Sequence, residues 1–548
     1  GGDPLAVSLS DMLERMVPLA EAALMTNETI AVFDDDLTNL GDEETLGNTS
    51  DNKIREYSSP FTDINYSKRK IISAIDWMPD SKGVVAVSCT ENATMDEQVD
   101  LDGKVRSSHI LIWNFKDPIH PQFVLEAPGD IFTFKFNPKN KNLLAAGCAN
   151  GQVLYWDLKA AKVASAKREE RERGASHAEE DRNNAKDEVK SIKAAMASTI
   201  DTSHRRAVSA LQWLPPNREV APRTGNITPS TQADGASKQI ITVAADGMVL
   251  FWDLTVTKAD KNGALLWTPI FRIMMSSLEG SGDLGGCQLC LSPDEEGEGL
   301  TKFQAGTEDG ELVYASWILP EEENASYIET SHQAHYGPMV SLERSPFFKD
   351  VIMTVGDWTF NLFKSDAGEP ILKSSYASSY LTTGRFSPTR PGVMMTGRAD
   401  GSIEIWDLMD RSHEASLDHN VGPVAVTAME FWGDANTNLQ LLAVGDKEGT
   451  LHVLEIPRNL RRPVPNEQNS VQALLDREVS RVGYMRERMV LRAKELSVKE
   501  AEDEEKRRAA EEAEAKKAAQ DLAAKEAAEA AAQALATGEG EVVVEEAE

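Results

Sequence analysis

Val208-Ser-Ala-Leu-Gln-Trp213, Gln239-Ile-Ile-Thr-Val-Ala244, Asp246-Gly247 and Met248-Val-Leu-Phe-Trp252 decide the fold. Three short apolar runs are punctuated by a loop and an Asp-Gly pair, whose glycine supplies the positive φ of a tight hairpin. The reading is strand, loop, strand, tight turn, strand. Outward from this stretch the same plan recurs seven times. Its first strand ends at Trp77-Met78-Pro79, Phe136-Asn137-Pro138, Trp213-Leu214-Pro215, Leu291-Ser292-Pro293, Arg344-Ser345-Pro346, Phe386-Ser387-Pro388 and a degraded Phe431-Trp432-Gly433. Its last strand ends at Trp113, Trp156, Trp252, Ala315, Phe363, Trp406 and Leu454, at spacings of 43, 96, 63, 48, 43 and 48 residues. Turn pairs recur at Asn150-Gly151, Asp246-Gly247, Asp309-Gly310, Asp400-Gly401 and Glu448-Gly449.

Three spacings fall near the WD40 blade period of about 40–45 residues, and the others exceed it by insertion. The fold expected is all-β, a seven-bladed WD40 β-propeller with helical N- and C-terminal extensions. Trp113, Trp156, Trp252 and Trp406 are the expected blade tryptophans. His204, His335 and His419 are expected to bond the turn aspartates Asp246, Asp357 and Asp446, fixing loop to sheet. Blade five carries Asp357-Trp358 where other blades have glycine, which makes Trp358 a candidate contact residue. Trp432, in the first loop of blade seven, is a second candidate. Packing against a neighbouring blade is the alternative for each.

Net charge is −32. Residues 1–60 carry −10 and residues 501–548 carry −9, which leaves −13 on the centre. A chain so acidic, without a basic stripe, is not built for nucleic acid, and the same argument disfavours direct binding to acidic microtubule walls. No apolar run is long enough to span a membrane. The chain opens Gly-Gly-Asp without a leader, which reads as a fragment lacking its own N-terminus. Cys89, Cys148, Cys287 and Cys290 make no disulfide framework. Cys287-Gln-Leu-Cys290 has metal-ligand spacing but no second ligand pair, so no metal and no cofactor are expected.

Four regions are expected. Residues 1–56 form an acidic extension with short helices, restarted at Pro18, whose apolar residues Met12 and Met16 pack on the propeller or on a partner helix. Asp11 and Glu14 resemble a capping box there. Residues 57–457 form the propeller. Within it lie insertions at Thr90–Arg106, at Asn217–Lys238 (a flexible loop) and at Lys159–Arg206, whose core 162–196 reads as helical or partly disordered. Residues 458–500 form an amphipathic helix whose stripe includes Leu474 and Leu475, docking on the propeller or on a partner. Residues 501–548 are an Ala/Glu-rich frayed helix or disordered tail. Tyr57–Tyr66 is expected to pair as the outer strand of blade seven and latch the ring.

Ser108-His-Ile-Leu-Ile-Trp113-Asn-Phe-Lys-Asp117-Pro-Ile-His120-Pro-Gln-Phe-Val-Leu-Glu126 resembles the dynein intermediate chains, and among them the axonemal inner-arm intermediate chain. Asn142-Leu-Leu-Ala-Ala-Gly147-Cys-Ala-Asn-Gly151-Gln-Val-Leu-Tyr-Trp156-Asp-Leu, Phe33-Asp-Asp-Asp, Glu56-Tyr57 and Phe61-Thr-Asp63 extend the resemblance. It implies a subunit of the two-headed inner-arm motor, the I1/f dynein, in the axoneme of cilia or flagella, cytoplasmic before assembly. It also implies a propeller that grips dynein heavy-chain tails beside a second intermediate chain, light-chain sites mostly upstream of Gly1, and indirect attachment to doublet microtubules. The alternative is a general WD40 adaptor of another ciliary or cytosolic complex. An enzyme is disfavoured: the sequence has no phosphate loop, no Gly-x-Ser-x-Gly elbow and no His-Glu-x-x-His.

Overall fold

The computed structural model describes residues 4–31, 53–93, 97, 108–159, 190–216, 218–229, 237–255, 258–259, 265–278, 282–292, 301–318, 326–365, 367–433 and 439–536. The chain divides into two units, Gly1–Glu478 and Val479–Glu548.

The first unit is a ring of seven antiparallel blades. Blade one pairs Lys70–Trp77, Val84–Glu91, Ser108–Asn114 and Phe123–Ala127. Blade two pairs Ile131–Phe136, Leu143–Cys148, Val153–Asp157 and Met196–Ala197. Blade three runs Val208–Trp213, Gln239–Ala244, Met248–Asp253 and Phe271–Met274, and blade four Gly286–Leu291, Lys302–Thr307, Glu311–Ser316 and Ile328–Gln333. Blade five runs Met339–Arg344, Val351–Gly356, Thr359–Lys364 and Pro370–Lys373, and blade six Leu381–Phe386, Val393–Arg398, Ser402–Asp407 and Leu417–Asn420. Blade seven pairs Val426–Trp432, Leu441–Asp446 and Leu451–Glu455 with Arg55–Glu56 from the start of the chain.

Leu143–Cys148, Val351–Gly356 and Val393–Arg398 are buried at every position, because neighbouring blades cover both faces of such second strands. The core is a set of wedges between blades. One wedge joins Phe134, Leu144 and Trp156 to Ile110 and Leu125 of the preceding blade. Another joins Phe251 and Ile273 to Phe303 and Trp317 of the next.

Every innermost strand carries a β-bulge near its start, at Ile72/Ala74, Ile131/Thr133, Val208/Ala210, Gly286/Gln288, Met339/Ser341, Leu381/Thr383 and Val426/Ala428. In blades one and three the residue left out of register reaches the next blade. Ser73 Oγ donates to the Ile131 carbonyl at 2.6 Å, and Ser209 Oγ to the Gly286 carbonyl at 2.5 Å. Cys287 is the out-of-register residue of blade four, while Cys290 is buried in the strand.

The ring closes two residues earlier than the sequence pattern suggests. Arg55 and Glu56 pair with Glu455 and Leu454, the Tyr57 amide donates to the Val453 carbonyl, and Phe61 exchanges both bonds with Leu451 at 2.9 and 3.0 Å. Pairing stops there because the chain turns at Asp63, whose carboxylate accepts the Asn65 and Tyr66 amides.

The insertion between blades two and three also differs from expectation. Lys190–Lys193 is a strand, not a helix, and pairs in parallel with Phe123–Ala127 as a fifth strand of blade one. Met196–Ala197 then completes blade two. Most of the insertion core, residues 160–189, lies outside the described residues, as does most of Thr90–Arg106. In Asn217–Lys238, Arg218–Val220 and Ile227–Pro229 form a hairpin instead of a flexible loop, and its Gly225 carbonyl accepts the Trp317 indole at 3.1 Å.

Helix α1, Pro4–Ala31, runs without a break through Pro18, and Asp11 lies within it, two turns from its start. Met12 and Met16 are exposed on it. Helix α2 is Arg458–Arg461 and helix α3 is Glu467–Ala536, so the division expected at residue 500 falls within one continuous helix. Acid–base pairs three or four residues apart, such as Glu504 with Arg508 at 3.2 Å, support its distal part.

Candidate partner-binding surface

The blade-five hairpin holds the most exposed tryptophan of the ring. Gly356 and Thr359 pair, so Asp357 and Trp358 form a two-residue turn, and Asp357 itself adopts φ 54°. Strain of this kind persists where surrounding bonds over-determine it. The Asp357 carboxylate accepts the Tyr336 and Gly337 amides at 2.8 and 3.0 Å and the Tyr380 hydroxyl at 3.3 Å. A Cβ on Gly337 would stand 2.5 Å from the Asp357 Oδ1, so a larger residue there would displace that carboxylate. Trp358 lies edge-on to Tyr380 at 5.2 Å, and its carbonyl accepts the Ala377 amide. Trp358, Tyr336 and Tyr376 remain 46%, 65% and 57% exposed, with the Lys373 ammonium 6.0 Å over the Tyr376 ring. Rigid, half-exposed aromatic side chains of this type anchor protein interfaces.

The other candidates are placed differently. Trp432 ends the inner strand of blade seven, is only partly exposed and packs on Trp77 at 6.1 Å, so it joins two blades instead of facing outward. Leu475 is buried and Leu474 half-buried where α3 begins, so this pair is not a free contact surface. Val471 is buried beside Gly392, and Asp476 meets Lys364 at 2.6 Å. The apolar stripe there serves to seat the helix on the chain's own blades.

Trp113, Trp156, Trp252 and Trp406 are all buried. In blade three a relay runs from the Trp252 indole to Thr242 Oγ1 (2.9 Å), from Thr242 to His204 Nε2 (2.9 Å), and from His204 Nδ1 to Asp246 (3.2 Å). Burial raises the Asp246 carboxyl, but bonds from His204 and the Arg205 amide outweigh it and hold it below the ordinary value. His335 reaches Thr354 at 2.9 Å, while Asp357 serves the neighbouring amides. Burial pushes the His335 imidazole down to about 4.

His419 does not take the corresponding place in blade seven. It sits in the outer strand of blade six opposite Ile403. His204 and His335 each precede their inner strand by four residues, and that position in blade seven is Gly422. Asp446 instead accepts the Glu448 and Thr450 amides of its own turn. The turn glycines carried a signal for this position: a Cβ on Gly151 would stand 2.0 Å from the His204 carbonyl oxygen, and one on Gly401 2.0 Å from that of Gly422.

A cavity of about 260 Å³ runs down the ring axis, lined by Lys135, Gln212, Glu343, Arg385 and Glu430 among others. Its charges brace one another. Lys135 meets Glu430 at 3.2 Å and Asp76 at 3.6 Å, and Arg385 meets Glu430 at 3.2 Å. Asp76, Gln212 and Glu343 each accept an amide of the next blade, from Phe136, Leu291 and Phe386 at 2.6, 3.1 and 2.7 Å. Among the described residues no group of three or more His, Cys, Asp or Glu side chains is placed to hold a metal ion.

A family model described as the dynein axonemal intermediate chain 3 WD40 domain matches residues 52–264 and 293–456, the ring from latch to last strand. The chain belongs to the axonemal dynein intermediate chains. Human dynein axonemal intermediate chain 3 is 31% identical over 567 residues, covering 89% of this chain and 62% of the human protein. The zebrafish protein of that name is 29% identical, over 77% of this chain and 50% of its own length. The Chlamydomonas 70 kDa intermediate chain of the flagellar outer arm is 28% identical, over 84% and 68%. This intermediate chain therefore spans about three fifths of the length of the human relative.

Proposed function

We propose that this intermediate chain is a non-catalytic scaffold of an axonemal inner-arm dynein, and that its ring binds heavy-chain tails and helps assemble and anchor the motor in the axoneme. The observation that carries this reading is the blade-five rim, where Asp357 fixes Trp358 beside Tyr336, Tyr376 and Tyr380 on a rigid closed ring. The channel supports the non-catalytic part, because its carboxylates and cations are engaged in stapling blade to blade. Motion comes from ATP hydrolysis by the heavy chains, and the ring supplies geometry. A second intermediate chain, light chains and indirect attachment to doublet microtubules complete the proposed assembly.

Likeness to an outer-arm intermediate chain supports a second reading, the same role in the outer arm. Affinity capture from a detergent extract of motile cilia, with mass spectrometry of the retained proteins, separates the two by which heavy chains are recovered. Trp358→Ala with Tyr336→Ala is expected to reduce that recovery at least tenfold. Capture of unrelated clients alone would overturn the scaffold reading, and undiminished recovery by the double variant would overturn the blade-five assignment.

A further inference from the structure

In a chain of net charge −32, residues 477–499 hold seven basic and three acidic side chains, a net of +4. This segment lies wholly on α3. At about 100° per residue along a helix, Met485, Met489 and Leu496 continue the row of Val471, Leu475 and Val482. Tyr484, Leu491 and Val498, spaced by seven, form a second row well around the helix, and Arg488, Arg492 and Lys499 stand between the rows. Val471, Leu475 and Val482 are buried, whereas all six apolar residues from Tyr484 to Val498 in these two rows are 44–62% exposed.

The arrangement restricts what can cover it. A bilayer surface or a single flat partner helix meets one face of a helix and leaves the other row in water. A second copy in parallel would set arginine against arginine. Covering both rows takes a partner that closes from two sides, and the cations between the rows call for carboxylates at its rim. A basic helix with apolar anchors on more than one side matches acidic proteins that enclose a helix in methionine-lined grooves.

We propose that Tyr484–Val498 is a docking segment for an acidic helix-clamping protein of the EF-hand type. The probe is calcium-loaded calmodulin, titrated calorimetrically into the full chain at 0.15 M salt. Saturable one-to-one binding that disappears on chelating calcium is expected. Met485→Glu in one row and Leu491→Glu in the other should each weaken it at least tenfold, with helix content by circular dichroism unchanged. Arg488→Gln with Arg492→Gln should weaken it and reduce its salt dependence. Absent binding, binding insensitive to these substitutions, or loss confined to one row would overturn the clamp. So would self-association, or co-sedimentation with phosphatidylserine vesicles, that depends on the same residues.

Discussion

Arg390 and Glu467 face each other at the foot of α3, the Arg390 Nε 3.1 Å from both carboxylate oxygens and both side chains almost wholly buried. The same guanidinium reaches Asp407 at 2.9 Å and the Asn459 carbonyl at 2.8 Å, while Glu467 accepts the Val464 amide at 2.7 Å. One cation thus ties blade six, the exit segment and the first helical turn. Removing one member strands a buried charge, at about 3–5 kcal/mol. Arg390→Ala should lower stability by that order and speed hydrogen exchange across residues 458–478. Unaltered exchange there would mean that the contacts of Val471 and Leu475 seat the helix unaided.

Closure is tested at Phe61, which is buried edge-on to Trp113 at 5.7 Å. Phe61→Ala should cost about 3–5 kcal/mol, and deletion of residues 54–70 should lower the unfolding temperature further. A deletion protein that melts like the parent would rule out the latch.

Thr242 Oγ1 meets two buried groups, accepting the Trp252 indole N–H and pairing with His204 Nε2, whereas Thr354 meets only His335, because blade five ends in Phe363 instead of tryptophan. A buried donor left without a partner costs about 1–3 kcal/mol. Thr242→Val should therefore destabilise by roughly twice as much as Thr354→Val in urea titrations. Equal losses would show that the tryptophan bond contributes nothing.

The channel predicts a pH dependence. Burial pushes the Glu343 carboxyl up to about 7 and that of Asp76 up to about 6. Each binds more proton folded than unfolded, so its contribution is complete below the ordinary carboxyl values of 4.5 and 3.8 and is lost as pH rises through about 6 to 7. His335 works oppositely: its pKa is lowered to about 4, and its contribution, present above 6.5, is lost as pH falls toward 4. Because the windows overlap, the measurement is the difference between parent and Glu343→Gln from pH 4.5 to 7. The variant should lose less stability across that rise, and parallel curves would remove Glu343 as the cause.

The ring was legible because its signals are local. Asp-Gly turns, a residue two before proline and terminal Trp-Asp pairs repeat within each blade, and even the latch was readable from the need to close the edge. What escaped was long-range. Lys190–Lys193 has the composition of a helix and becomes a strand only because the outer edge of blade one lies beside it. His419 looked right by its distance from Val424, yet the inner strand begins at Val426 and the outer strand of blade six extends to Asn420. Leu475 showed amphipathic spacing, which reports that a face is covered without saying by what. At the blade-five rim the absence of glycine at Asp357-Trp358 was visible, but the support from Tyr336 and Tyr380 depends on the fold.

The pairing of Arg55 with Glu455 also fixes an order of events during synthesis. Arg55 leaves the ribosome some 400 residues before its partner exists. Until then Phe61 has no Leu451 to bond, and blade one has no seventh neighbour against its inner strand. Each intermediate length of nascent chain is an open arc with two unsatisfied edges, a species prone to pairing with the wrong strand. The ring becomes a single cooperative body only when the last blade emerges, so the strand of the ring that is made first is the last to be matched.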